Sequence, residues 1–434
     1  MKKITTGKMF YLALIIFSLV GQVAWVVENM YLNVFIYKMF HASAQQISLM
    51  VAASAVTATV TTLLIGALSD KVGRRKAFIC VGYILWGLSI WGFSLIRVDW
   101  VDRVFCRAYS SLIPAMSLCV TFTIALDCIM TFFGSSANDA AFNAWLTDAT
   151  DETNRGKVEG INAMMPLVAI LVVFGGFMSL NQDLPETWTV IFGVIGTVVL
   201  ALGVAGFFLI EDTAVKTEEN SRYFANIFYG FRPSVIRENK SLYVTLILLA
   251  LFNISIQIFM PYLILYYTEA LGLQNYVLIF APAIIVSAAF TAIYGRVYDN
   301  RGFRTAILPV LTLLAAGYIL LYFVRHTALV FVASLIMMCG FIGTGAVIGA
   351  LIRDCTPKNK AGMFQGLRIV GQVLIPGVVG PAIGAWVLRN ADTVTNTDGT
   401  TSFVPNENIF LASLIALLTV CIVLPPLFKL IKKK

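Results

Sequence analysis

Apolar residues run along this chain in blocks too long for a soluble core. A helix crossing the hydrocarbon of a bilayer needs about 20 consecutive, mostly apolar residues. Twelve such stretches can be marked, at about 9–38, 46–68, 76–96, 112–147, 157–180, 188–210, 241–270, 275–296, 304–324, 328–352, 362–388 and 406–429. The longest are expected to tilt or to project beyond the hydrocarbon. The stretch 97–107 breaks the pattern by mixing Arg97, Arg103 and Arg107 with Trp100 and Phe105, and reads as an external loop or an interfacial helix. The apolar run that follows Lys2, Lys3 and Lys8 has no small-residue cleavage site, so it is expected to stay as the first span and not to be removed as a signal peptide.

Composition agrees. Hydrophobic residues make up 59% of the 434 and charged residues 12%, about half the charged share of a soluble domain. The net charge of +8 changes the picture only through its placement. With the N-terminus inside, 24 of the 31 Lys and Arg fall in inner segments, six in outer ones, and Arg368 within a span. That bias predicts a multi-pass protein of the plasma membrane with both termini cytoplasmic. A nucleic-acid partner would need a basic patch on a soluble scaffold, which is absent. The seven cysteines show no paired spacing and the only histidines are His41 and His326, so no metal or disulfide framework is expected. A polar segment at 211–240 divides the chain into a first half, 1–210, and a second, 241–434, with six spans each.

The halves repeat each other. Gly66, Asp70, Gly73 and Arg75 recur as Gly295, Asp299, Gly302 and Arg304, offset by 229, with Arg74 inside the first copy. Asp148, Thr150 and Gly156 recur as Asp354, Thr356 and Gly362, offset by 206, with Arg155 following the first copy. Each copy fits a gate at an inner loop. Gly66 and Gly295 are expected to let helices approach closely. Gly73 and Gly302 permit a tight turn, and the aspartates can pair with a nearby arginine.

The segment 66–76, with its weaker copy in the second half, resembles the signature loop of the major facilitator superfamily. That resemblance implies twelve transmembrane helices in two pseudo-symmetric six-helix bundles around a central cavity, working by alternating access. It also implies a small-molecule substrate and, as expected here, a monomer. Segment 138–160 is similar to the corresponding region of the glycoside–pentoside–hexuronide:cation symporters. Those proteins often carry acidic residues in span 2; this span 2 has none.

Ionisable groups inside spans are costly and usually face a cavity or a partner. Gln22, Trp25, Asn29 and Asn33 recur on one face of span 1, with Glu28 beside them. A ring beside amides and a carboxylate suits a polyhydroxylated ligand, while helix–helix hydrogen bonding is the plainer reading. Span 4 carries Asp127, Asn138 and Asp139. Asp139 stands nine residues above Asp148, about 14 Å into the membrane at 1.5 Å per residue. It is the candidate coupling carboxylate, against a buried pair with arginine. Asp127 is expected near the outer surface of the membrane. Span 7 offers Asn253 and Gln257, and span 11 offers Arg368 and Gln372, with Arg368 either snorkelling to the inner face or serving the cavity.

No cofactor is expected beyond a co-transported proton or monovalent cation. There is no metal-ligand spacing, nucleophile–histidine set or phosphate loop, which argues against an enzyme. The expected function is proton- or cation-coupled uptake of a sugar or glycoside. A drug or metabolite exporter of the same superfamily is the alternative, although Gly380-Pro381-Ala-Ile-Gly384 lies in span 11, where packing or a kink explains it. A sensor built on a transporter fold is a third reading.

Overall fold

The computed structural model describes residues 7–107, 114–150, 154–211, 229–356, 366–396 and 398–431. Twelve helices are long and apolar enough to cross a membrane. Spans 1 to 6 are Lys8–Phe40, Ala44–Gly66, Arg75–Phe93, Ala115–Ala149, Gly156–Phe177 and Pro185–Leu209. Spans 7 to 12 are Lys240–Ala270, Val277–Arg301, Phe303–Phe323, Thr327–Cys355, Gly366–Asn390 and Asn408–Leu430. Large apolar side chains left exposed, among them Phe208 at 84% and Ile422 at 75%, suit a hydrocarbon solvent, since soluble proteins seldom expose so much apolar surface. The stretch after span 3 is a short helix, Val98–Val101, continued by a π-helical run, Asp102–Arg107.

The chain forms two compact units. The first comprises Met1–Ala42 and Val56–Ile227, and the second Ser43–Ala55 and Phe228–Lys434. In the first unit, spans 3 and 6 pack with backbones almost touching. A Cβ on Gly87 would lie 2.5 Å from the Leu200 nitrogen, and one on Gly203 would lie 2.6 Å from that of Ile84. Small residues take the place that hydrophobic attraction holds in water, because lipid is as apolar as the side chains. Phe35, Trp188 and Phe192 form an aromatic cluster at one end, with ring centroids 5.0–5.9 Å apart.

In the second unit Gly317 of span 9 meets Met337 of span 10 in the same way, a Cβ falling 2.5 Å from its Cα. Span 11 lies on span 7 through Gly380, whose Cβ would be 2.5 Å from that of Gln257, and through Gly384 against Tyr262. The Gly-Pro segment of span 11 is therefore a packing seam. Tyr262 donates to the Ala44 carbonyl at 3.0 Å. Between spans 11 and 12, Thr393–Thr395 and Thr401–Phe403 pair as an antiparallel hairpin.

The repeated turns keep only part of their symmetry. Gly73 and Gly302 both have left-handed φ, +69° and +73°, where a side chain would be strained. Among the described residues, no close approach is seen at Gly66 or Gly295. A Cβ on Gly66 would meet Ala140 at an ordinary 3.9 Å, and one on Gly295 would meet nothing within 4 Å. In the first unit Arg75, 3% exposed, donates through Nε to Asp148 at 3.1 Å and through Nη1 to Ser69 at 2.5 Å. In the second, Tyr298 stands at the place of Ser69 and donates to Asp354 at 2.8 Å. Arg304 instead turns to the end of span 12, donating to the carbonyls of Phe428 and Ile431. Arg74 and Asp299 are exposed. Gly362 and the side chains of Asp70 and Arg155 lie outside the described residues.

Candidate functional site

Among the described residues, the departures from α geometry inside spans fall in spans 1, 4, 7 and 11. Span 1 has a π segment at Val27–Tyr31 and span 4 one at Ser135–Phe142. Span 7 has a 3₁₀ turn at Met260–Tyr262 and a π segment at Tyr266–Ala270, and span 11 a π segment at Val370–Leu374. A π segment inserts a residue into the helical ladder and widens the turn, and such segments are frequent at functional sites. The polar candidates sit in or beside these breaks: Glu28 in the first, Asn138 and Asp139 in the second, Gln372 in the last.

The first unit gathers its polar groups where spans 1, 3 and 4 meet. Asp139, half-buried, accepts from Ser135 Oγ at 3.0 Å and from Asn138 Nδ2 at 3.2 Å, with the Trp25 side chain nearby. No arginine stands among these partners. Asn138 turns its Oδ1 to the Tyr83 hydroxyl, 2.9 Å away, which also lies 3.0 Å from the Phe17 carbonyl. Trp25 and Trp86 bring their rings to 5.0 Å, and Tyr83 meets Trp86 edge-on at 5.4 Å. This cluster is possible only because two glycines flank it. A Cβ on Gly21 would fall 2.5 Å from Asn138 Oδ1, and one on Gly134 would fall 2.7 Å from the Trp86 ring.

One turn along span 1, Glu28 accepts from Thr131 Oγ1 at 2.9 Å. Asp127, a turn further along span 4, is 1% exposed. Asn29 and Asn33 donate their amide hydrogens to the carbonyls of Trp25 and Asn29, each at 2.8 Å. Asn29 is exposed, Asn33 is buried, and Gln22 is half-buried below Trp25. The structure thus joins Asn138 and Asp139 directly and places Trp25 and Glu28 beside them, while Asn29 and Asn33 belong to the C-terminal continuation of span 1.

In the second unit Arg368 Nε donates to Gln372 Oε1 at 3.1 Å along span 11. Gln257 faces the glycine seam of that span, and the Asn253 amide nitrogen is buried with no hydrogen-bond partner among the described residues. Ser255, two residues on from Asn253, bonds to Tyr318 and to the Ser413 carbonyl. It is thereby part of the packed interior.

Three residues that complete the cluster escape sequence reasoning. Tyr83 and Trp86 look like ordinary apolar filling in span 3, and Thr131 looks like one threonine among many. Their signal is faint: the two aromatics stand three apart, which puts them on one helix face.

Residues 10–381 match the sequence model of the family described as the Major Facilitator Superfamily. No curated protein sequence matches the chain. Solved structures do. A mutant of the nucleoside transporter NupG superposes with a TM-score of 0.68 at 13% identity, covering 96% of this chain and 99% of its own. A bacterial homologue of the human lysosomal transporter Spinster, inward-facing and unoccupied, gives 0.68 at 13% identity, with 96% of each chain covered. The xylose transporter XylE from E. coli, partially occluded and inward open, gives 0.67 at 11% identity, covering 96% and 98%.

Proposed function

The chain belongs to the major facilitator superfamily, and we propose that it imports a sugar or glycoside by alternating access, driven by a proton. As a member of that family it is a multi-pass membrane transporter of a small molecule, not an enzyme. The finer reading is carried by one observation: Asp139 sits in the π segment of span 4 with two hydrogen-bond donors, Ser135 and Asn138, and no arginine among its described partners. An ionised Asp139 can accept from both. A proton on it turns one acceptor site into a donor, which weakens or redirects the hydrogen bonds from Ser135 and Asn138. Asn138 is braced by Tyr83 and Trp25 lies on Trp86, so this exchange is felt on spans 1 and 3 as well as span 4.

The Trp25 ring offers a face for the apolar side of a pyranose or furanose ring, and Asn138 with Asp139 offers hydroxyl partners. Among the solved neighbours are a nucleoside transporter, a xylose transporter and a D-xylose-proton symporter, at 11–13% identity. They point the same way by analogy only. A proton is favoured over sodium because span 2 holds no acidic residue. The exporter reading loses its one motif, since the glycines of span 11 are accounted for by their contact with span 7. The lysine and arginine bias favours a plasma-membrane carrier with both ends inside, working as a monomer.

The test is uptake into proteoliposomes. Radiolabelled pentoses, hexoses, glycosides and nucleosides are offered with and without an inward proton gradient. Accumulation above equilibrium is expected for one of these solutes. Asp139→Asn is expected to abolish accumulation while sparing exchange of internal for external solute. Concentrative uptake by that variant would remove Asp139 from the mechanism.

A further inference from the structure

We propose that Tyr83 is a positioning residue for proton uptake at Asp139, and that a turn of the Asn138 amide carries the protonation state of Asp139 to the backbone of span 1 at Phe17. This rests on the function proposed above only in taking Asp139 as the proton-binding carboxyl, and it holds whichever solute is carried.

The Tyr83 hydroxyl has two acceptors in reach, Asn138 Oδ1 at 2.9 Å and the Phe17 carbonyl at 3.0 Å. A phenol has one hydrogen to give, so a full bond to one acceptor is denied to the other. On its far side Asn138 gives Nδ2 to Asp139 Oδ1 at 3.2 Å. Asn138 is 4% exposed and Tyr83 0%, so bulk water does not make up the difference. Asp139 and Asn138 stand in span 4, Tyr83 in span 3 and Phe17 in span 1, so the row of bonds crosses three helices.

This row has two consistent settings. With Asp139 ionised, the amide donates to the carboxylate and accepts from Tyr83, and the Phe17 carbonyl goes without the phenol. With a proton on Asp139 Oδ1, its O–H faces the Asn138 N–H, donor against donor. Turning the amide by half a turn removes the conflict. Asp139 then donates to Asn138 Oδ1, Asn138 Nδ2 donates to the Tyr83 oxygen, and the phenol gives its hydrogen to Phe17. Each bond again runs from a donor to an acceptor, and no proton leaves Tyr83. Ser135 keeps the other carboxyl oxygen, Oδ2, at 3.0 Å. The planar amide holds nearly the same outline when its oxygen and nitrogen trade places. Gly21 leaves that side open, since a Cβ there would lie 2.5 Å from Asn138 Oδ1 and 3.0 Å from its Cγ. The Tyr83 ring meets Phe17 edge-on at 5.0 Å, which keeps the hydroxyl beside the span 1 backbone in both settings.

The groups around Asp139 leave this choice to its own proton. Span 3 brings Tyr83, Cys80 and, at its start, Lys76 and Arg75, the last held by Asp148 at 3.1 Å. Span 1 brings Glu28, which accepts from Thr131, with Lys8 and Tyr11 toward one end and Tyr31, Tyr37 and Lys38 toward the other. Span 4 itself adds Asp127 and Cys128, and the stretch Ala44–Gly66 of span 2 has no charged residue. Among the described residues, no lysine or arginine bonds to Asp139.

The experiment is infrared difference spectroscopy between alkaline and acidic pH, on the purified full-length protein in lipid nanodiscs. Acidification of the wild type is expected to raise a carboxylic-acid band that Asp139→Asn lacks. A shift of a tyrosine C–O band should accompany it, as the phenol passes from donor alone to donor and acceptor, and Tyr83→Phe should lose that shift. Asn138→Leu keeps the carboxyl and the phenol but has no amide to turn; it should keep the acid band and lose the tyrosine shift. A field effect of the Asp139 charge would survive in that variant. Should Asn138→Leu fail to fold, phenylalanine labelled with ¹³C at the carbonyl gives a second measurement. One labelled carbonyl is expected to shift down on acidification of the wild type, and not of Tyr83→Phe. An unmoved tyrosine band beside a clear Asp139 band would overturn the proposal alone, as would an equal shift in Asn138→Leu or a labelled carbonyl indifferent to pH. Absence of any acid band assignable to Asp139 would overturn it together with the role given to that residue in transport.

Discussion

Among single residues, two classes of glycine separate cleanly. Gly21 is a glycine because Asn138 and Tyr83 stand where its side chain would be, at 2.5 and 2.8 Å. Gly21→Ala is expected to push Asn138 off Tyr83, to cost about 1–3 kcal/mol through overpacking, and to lower transport more than expression; thermal unfolding and uptake measured together check this. Gly295 meets nothing within 4 Å. Gly295→Ala should leave thermal stability unchanged or raise it by about 0.5–1 kcal/mol through helix propensity. If that variant nonetheless transports poorly, the glycine is needed in another state of the cycle. Legibility follows the same division. Trp25, Glu28 and Asp139 are visible in the sequence because polar groups are rare in apolar runs. Tyr83 and Trp86 are not, because an aromatic residue in a membrane helix carries the same letter whether it meets lipid, a neighbour or a site. Depth arithmetic puts Asp127 near the outer surface of the membrane. It is also among the most buried acids in the first unit, because neighbouring helices cover it.

Among the helices, the π segments of spans 1 and 4 are what sequence periodicity cannot supply. Span 1 is readable as one long helix from its apolar length, and its polar residues step at 3, 4 and 4. The extra residue at Val27–Tyr31 rotates everything beyond it, so Asn29 ends exposed and Asn33 buried although one straight helix would put both on one face. The small run Ser135-Ser136-Ala137-Asn138 in span 4 is the one available hint of its break. The turns between spans allow a paired prediction. Asp148→Asn leaves Arg75, 3% exposed, with a charge in the protein interior, and should cost about 2–3 kcal/mol. Tyr298→Phe removes one hydrogen bond to an exposed carboxylate, and should cost about 1 kcal/mol. Unfolding of the purified variants in one detergent gives the comparison, and equal losses would contradict the reading of Arg75 as the more deeply committed group.

For the molecule as a whole, span number and duplication are legible, since both are written in long apolar runs and in residues recurring at fixed offsets. All twelve helices coincide with the stretches marked by composition, their ends shifted by a few residues. Orientation is a separate matter, resting on where lysine and arginine fall. It predicts that tags on either terminus are protected from protease in intact spheroplasts and cleaved in inverted vesicles; cleavage from outside at either end would reverse the topology. For the proton-driven importer proposed above, solute should accumulate when the outer side is made more acidic or more positive.

The unequal fasteners at the repeated turns have a consequence of their own. One half is tied by guanidinium to carboxylate, the other by phenol to carboxylate, while its spare guanidinium clasps the end of the last helix. A doubled ancestor with matching ties would have had to loosen both with one chemistry. Here each knot answers to its own substitution, so the two halves can be retuned one at a time.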